Sequence, residues 1–138
     1  LGRDSDGENT LQDWFDVQYI NNNEFNIDDV HIQTFRVKHT PTKNTYGVLI
    51  NQRLFYSSDT TAIPEVLKDL TFDIGFHDVT LTDWNPVHAS LNSLIDLYPE
   101  DTCKKLFLMS YEDNWQQHQQ RVEQHFQGYA FQGQTITL

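Results

Sequence analysis

Hydrophobic and polar residues alternate most regularly between Val30 and Lys38. Val30, Ile32 and Thr34 fall on one face, and His31, Gln33 and Phe35 on the other. A period of two predicts a strand covered on one side. Thr45–Ile50 and Arg53–Tyr56 flank Asn51-Gln52, a pair suited to a two-residue hairpin turn. Upstream, Leu11 to Ile20 carries Trp14, Phe15, Val17, Tyr19 and Ile20, with period-two character in its second half. The polar break Asn21–Glu24 and the short run Phe25–Ile27 follow. This predicts a strand, a tight turn and a short strand, leading into an antiparallel meander.

After Ile63 the pattern changes. Ile63–Leu70 predicts a short helix, with Pro64 in its first turn where a missing N–H costs nothing. Phe72–Val79 predicts an apolar strand. In Val87–Tyr98, Leu91, Leu94, Ile95 and Tyr98 recur at i, i+3, i+4 and i+7, the spacing of an amphipathic helix. Lys105–Met109 predicts a buried strand. Asn114–Gln127 predicts a third helix with Trp115, Val122 and Phe126 on one face, and Tyr129–Phe131 with Thr135–Leu138 a closing hairpin around Gly133. Strands first and alternating elements afterwards give an α/β (α+β) chain: a mixed sheet with crossover helices on one face. Residues 1–10 are polar and predict a flexible N-terminal segment, with the domain running over 11–138.

Composition narrows the reading. The 138 residues suffice for one domain. Only 38% are apolar, and twelve Gln and ten Asn fill the shortfall, but 13% are aromatic, enough to build a core. Nine basic against twenty acidic residues leave a net charge of −11. That field repels phosphate backbones over a Debye length of roughly 8 Å and excludes non-specific nucleic-acid binding by overall charge. A single cysteine, Cys103, excludes an internal disulfide and a multi-cysteine zinc site. No apolar run approaches the roughly 20 residues of a membrane span, and no export signal is visible. With one cysteine, this points to a cytoplasmic protein. The chain opens on Leu1 rather than Met, as a fragment would.

Candidate chemistry gathers where the predicted strands end. His39 closes the Val30–Lys38 strand, Asp59 follows Tyr56-Ser57-Ser58, His77 and Asp78 end the Phe72 strand, His88 opens a helix, and Ser110 ends the Lys105 strand. Ligands of open α/β sheets bind outside the carboxyl ends of strands. Imidazoles and carboxylates on one rim are the ligands of zinc and manganese, or the partners of acid–base chemistry. Each residue also has a plain reading: His39 as a loop residue before Thr-Pro, Asp59 and Asp78 as turn or cap residues, and His88 as a helix-start residue. His31, His118 and His125 read as surface residues. No Gly-x-Ser-x-Gly elbow exists, so a serine hydrolase has no sequence support.

Taken in order, these segments resemble the C-terminal half of the metallo-β-lactamase fold superfamily, most closely its tRNase Z and phosphodiesterase branch. The segments are Phe35–His39, Thr45–Ile50, Leu54–Thr60 with its Ser-Ser-Asp-Thr turn, Phe76–Leu81, Val87–Ser90 and Lys104–Tyr111. The resemblance spans roughly residues 11–115. It implies His39 as a terminal metal ligand and Asp59 as a carboxylate bridging two metals. It implies His88, in the place of a His-Ser-Thr segment, as an assistant to phosphodiester cleavage, oriented by Asp78. Position 110, 22 residues after His88, holds serine where the superfamily has its last metal-binding histidine. The first-half motif His-x-His-x-Asp-His is absent.

The implied whole is a four-layer αββα sandwich, of which this length is one half. The expected function is a metal-dependent hydrolase cleaving phosphodiesters, with Zn, or else Mn or Fe, supplied with ligands from an N-terminal half. The expected partner is that half or a second copy covering the inner sheet face, and metals need not bind this chain alone. The other class left open is a non-catalytic interaction module on a scaffold that has lost its metals. The charge of −11 belongs to this piece and does not describe a completed active site.

Overall fold

A computed structural model describes residues 9–138. The predicted flexible segment 1–10 lies mostly outside those residues. One seven-stranded sheet organises the chain, with strand order equal to sequence order. Its strands are β1 (Glu24–Ile27), β2 (Val30–Val37), β3 (Thr45–Ile50), β4 (Leu54–Tyr56), β5 (Ile74–Asp78), β6 (Leu106–Met109) and β7 (Gly128–Tyr129). β1 to β4 pair antiparallel, and β4 to β7 pair parallel. The predicted meander followed by crossovers is therefore the observed architecture. Asn51 and Gln52 both take positive φ, 50° and 55°, in a turn closed by Arg53 N–H to the Ile50 carbonyl at 2.9 Å, but the paired residues are Ile50 and Leu54, so Arg53 belongs to the connection rather than to β4.

The parallel strands advance one place at a time, so right-handed crossovers place every connection on the same face. These connections hold α2 (Pro64–Leu67), α3 (Leu91–Leu97), α4 (Glu100–Cys103), and α5 (Gln119–His125) behind a 3₁₀ turn at Trp115–His118. The core sits beneath them. Leu49, Phe55, Leu106, Leu108 and Tyr129 from the sheet pack with Leu67, Leu91, Leu94, Val122 and Phe126. The opposite face carries Val48, Leu54, Ile74, Phe76 and Phe107, all only half-buried. Residues 131–138 run back over part of that face, where Phe131, Ile136 and Leu138 share a hollow with Leu54 and Phe76.

Three local predictions differ from the structure. Leu11–Ile20 is no strand: Leu11–Trp14 forms one helical turn, α1. The Asp13 carboxylate accepts from both the N–H and the hydroxyl of Thr10, at 2.6 and 2.8 Å, and so closes that turn. Phe15, Tyr19 and Ile20 are exposed, and alternation without a neighbouring strand to bond does not make a sheet. The helix predicted from Val87 begins at Leu91. The Asn85 side chain captures the N–H groups of Val87 and His88, and the hydroxyl of Ser90 accepts from Ser93 N–H as the true cap. Finally, Thr135–Leu138 forms no strand. Tyr129 instead pairs parallel with Leu108, and the tail beyond Gly133 lies against the open face.

Candidate functional site

The carboxyl ends of β2, β4 and β5 converge on one buried hydroxy residue, Thr60, which is fully inaccessible. Its hydroxyl lies 3.2 Å from both the N–H and the carbonyl of Lys38. Its N–H donates to Asp78 Oδ2 at 3.0 Å, and its carbonyl accepts from Ala89 N–H at 2.8 Å. Thr60 thereby fixes the neighbours of His39, Asp59 and His88 relative to Asp78. The Ser-Ser-Asp-Thr turn marks Asp59 in the sequence. The threonine beside it was legible only as part of that motif.

Asp78 sits at the end of β5, buried to 0% exposure. Its Oδ2 accepts from His88 Nδ1–H at 2.6 Å as well as from Thr60. Burial pushes the Asp78 carboxyl above the usual range, and the bonds from His88 and Thr60 oppose that rise. Its second oxygen, Oδ1, is buried with no protein partner. The main-chain N–H of Asp78 donates to Ser57 Oγ, which ties the end of β5 to the loop after β4.

His39 and His88 face one another, with ring centroids 5.1 Å apart and planes inclined by 58°. His39 Nδ1 lies 3.0 Å from the carbonyl of Val87. A carbonyl only accepts, so His39 carries its proton on Nδ1 and its Nε2 holds a free lone pair. His88 likewise spends Nδ1 on Asp78. Asp59 is exposed at the turn and follows Ser58, which takes a φ of 57°. Ser110 also lies in the left-handed region, at 63°, and is exposed at the end of β6. Two serines at strand ends in this uncommon region mark a rim whose backbone is set by its surroundings.

One expected rim residue lies elsewhere. His77 points to the helix-covered face and is wholly buried. Its Nδ1 lies 2.7 Å from the Asp78 carbonyl and its Nε2 2.8 Å from the Tyr98 hydroxyl. Donation from Nδ1 to the carbonyl leaves Nε2 to accept from Tyr98, whose oxygen in turn accepts from Ile63 N–H at 2.9 Å. Burial pushes the His77 pKa down to about 4. Period-two alternation in β5 already separates residues 77 and 78 onto opposite faces. A dipeptide at a strand end cannot place both on one rim.

The residues present do not make a metal centre by themselves. Among the described residues no group of three His, Cys, Asp or Glu converges. A catalytic zinc takes about three protein ligands. No helix among the described residues is long and apolar enough to cross a membrane.

The family described as "Anti-Pycsar protein Apyc1" matches residues 1–136. The chain belongs to this family. An anti-Pycsar protein Apyc1 of Paenibacillus harenae is 40% identical over 127 residues, covering 88% of this chain and 52% of the relative. One from Saccharibacillus brassicae is 31% identical, over 84% of this chain and 50% of that protein. One from Bacillus phage BSP38 is 36% identical, over 76% and 41%. The chain thus spans about half the length of the curated relatives it matches. Among solved structures, a diphosphatase of the PhnP family superposes with a TM-score of 0.71 at 15% identity, over 86% of this chain and 47% of that one. At that identity the likeness shows the fold, a mixed α/β sheet of metallo-β-lactamase type, also shared over about half the length.

Proposed function

We propose that this chain is the C-terminal half of a hydrolase that cleaves phosphodiesters. The observation that carries the reading is the Asp78–His88 pair at 2.6 Å, set beside His39 with its Nε2 free. A carboxylate behind an imidazole fixes its tautomer and ring orientation, which aims the other ring nitrogen at a leaving oxygen. In that role His88 gives a proton from Nε2 as the ester P–O bond breaks and a water-derived oxygen takes its place on phosphorus. Asp78 holds Nδ1–H throughout. His88 is the proposed catalytic residue, and Asp78 the positioning residue that acts through it. The phosphodiesterase branch resemblance and the superposed PhnP-family diphosphatase support phosphorus chemistry. The name shared by the relatives marks them as acting against Pycsar.

His39 and Asp59 are the proposed metal ligands, for Zn, or else Mn or Fe. Two ligands do not complete a site, and the described residues supply no third. The proposed source is an N-terminal half of the fold docked on the open sheet face, or a second copy.

The test uses this chain together with its N-terminal half. Expected is hydrolysis of at least one of three probes, bis(p-nitrophenyl) phosphate, a 3′,5′-cyclic nucleotide and a short RNA. A fall of roughly 10²–10⁴-fold is expected in His88→Ala. Full activity in that variant removes His88 from the mechanism. If the assembled protein holds no Zn, Mn or Fe by elemental analysis and hydrolyses none of the probes, the hydrolase reading fails. The non-catalytic interaction module on this scaffold then stands.

A further inference from the structure

Glu112 stands two residues past Ser110, on the loop after β6, and spends both carboxylate oxygens on the segment that follows β5. One oxygen accepts from the Thr80 hydroxyl and the other from the Leu81 N–H at 2.7 Å. Thr80 in turn grips the far end of the loop that carries His88. Its N–H donates to the Ala89 carbonyl at 2.8 Å, and its carbonyl accepts from Leu91 N–H at 3.1 Å, so that it pairs with Ser90 as a single parallel bridge. Glu112 is itself fixed from behind. Its carbonyl accepts from Trp115 N–H at 3.1 Å, Trp115 packs edge-on against Tyr111, and the Tyr111 hydroxyl donates to the Ala130 carbonyl at 2.9 Å. Burial pushes the Glu112 carboxyl up, but the bonds from Thr80 and Leu81 and the nearby His118 outweigh it and hold the group below its ordinary value.

A carboxylate accepts at both oxygens, whereas a carboxamide of the same shape accepts at one and presents donors at the other. Only the ionised side chain therefore satisfies the Thr80 hydroxyl and the Leu81 N–H together. We infer that Glu112 is a positioning residue for His88: it locks Thr80, and through Thr80 the Ala89 carbonyl, so that the imidazole stays aligned on Asp78. Ala89, the residue after His88, is then held at both main-chain atoms, its N–H by the Thr60 carbonyl and its carbonyl by Thr80. Asp78 orients the ring, and Glu112 orients the chain from which the ring hangs. The inference rests on the proposed role of His88 as the proton donor to the leaving oxygen. That role supplies a signature which loss of fold does not. A misaligned acid costs most where the leaving oxygen needs a proton, and little where it departs as a stable anion.

The experiment compares wild type, Glu112→Gln, His88→Ala and the double variant, each assembled with the N-terminal half. The substrates are a 3′,5′-cyclic nucleotide, which must expel an alkoxide, and bis(p-nitrophenyl) phosphate, which expels a stabilised phenolate. For the first, kcat should fall roughly 10–10²-fold in Glu112→Gln with KM little changed. For the second, kcat should stay close to wild type. In the His88→Ala background, Glu112→Gln should cost nothing further. Equal slowing of the two substrates, an added loss in the double variant, or no loss at all overturns the inference and leaves the hydrolase reading intact. A second readout is independent of turnover. The Nδ1–H that His88 donates to Asp78 should give a downfield proton resonance, identified by its absence in His88→Ala and lost or shifted in Glu112→Gln. A resonance unchanged in Glu112→Gln overturns the positioning role whatever the kinetics show. If wild type hydrolyses neither substrate, the hydrolase reading fails and the resonance alone decides whether Glu112 sets the ring. Should Glu112→Gln not fold by circular dichroism, Thr80→Val removes one of the two bonds from the opposite side. It should show the same split between substrates at smaller size, and equal slowing there overturns the inference too.

Discussion

The N–H of Thr60 donates to Asp78, its hydroxyl bonds the Lys38 peptide, and its carbonyl takes the N–H of Ala89. None of these bonds involves a titrating group of Thr60 itself, yet together they set the spacing of the four proposed site residues. Behind them lies a second set: Ile63 N–H to Tyr98, Tyr98 to His77, and His77 to the Asp78 carbonyl. That set carries a prediction about pH. His77 is buried and neutral, with its pKa lowered from 6.5 to about 4. Above pH 6.5 neither the folded nor the unfolded chain protonates it. Between pH 6.5 and 4 the unfolded chain binds a proton that the folded chain refuses, so stability falls as pH falls. The slope approaches ~1.4 kcal/mol per pH unit and sums to about 3 kcal/mol by pH 4. Urea unfolding of this chain at pH 7 and pH 4.5 should show that loss on top of the carboxylate contribution. In His77→Gln the histidine share of the difference should vanish. An unchanged pH difference in the variant would place the acid sensitivity elsewhere.

Whole elements were legible where sheet pairing agreed with the hydrophobic period. β2, β3, β4 and the hairpin turn at Asn51-Gln52 follow from alternation alone, since each has a neighbour to bond. Leu11–Ile20 has the same alternation and no neighbour, and a Thr10–Asp13 contact decided its local form instead. The start of α3 was displaced because Asn85 takes the N–H groups of Val87 and His88, an interaction that periodicity does not register. That displacement puts His88 in a loop held against Asp78 rather than on a helix. In the site, His39, Asp59 and Asp78 were readable as residues at or just past strand ends, and His88 as a helix-start residue. Their mutual geometry was not, because it runs through Thr60 and through main-chain atoms. Gly75 shows the same limit within β5. It reads as a weak strand residue, but a Cβ there would lie 2.6 Å from Leu106 Cδ2 and 2.8 Å from Phe55 Cδ1. Gly75→Ala should therefore cost about 1–3 kcal/mol through overpacking, measured as a shift in the urea midpoint with m unchanged. A neutral substitution would mean that the Leu106 and Phe55 side chains move aside freely.

At the scale of the molecule, the two faces of the sheet differ in the same way in every central strand. In β5 and β6 the helix side holds Gly75, His77, Leu106 and Leu108, all buried. The other side holds Ile74, Phe76, Phe107 and Met109, all partly open. The register aligns Val48, Tyr56, Phe76 and Phe107 in one row across four strands, with Phe76 and Phe107 stacked at 5.7 Å. A contiguous apolar row of this kind marks a contact surface. Since the matched relatives are about twice as long, the proposed occupant is the N-terminal half of the fold. Asp78 joins this argument, because it lies on the same side of β5 as Ile74 and Phe76 and keeps one buried oxygen without a protein partner. A donor from the docked half, or a water trapped beneath it, would satisfy that atom. Phe76→Asp places a charge in the middle of the row while leaving the helix-side core untouched. Circular dichroism of the variant chain should match wild type, and gel filtration of the two halves mixed together should show the complex lost. Hydrolysis by the mixture should disappear in step with it. If Phe76→Asp forms the complex as well as wild type does, the open face is not where the halves meet, and the proposed occupant of that face is wrong.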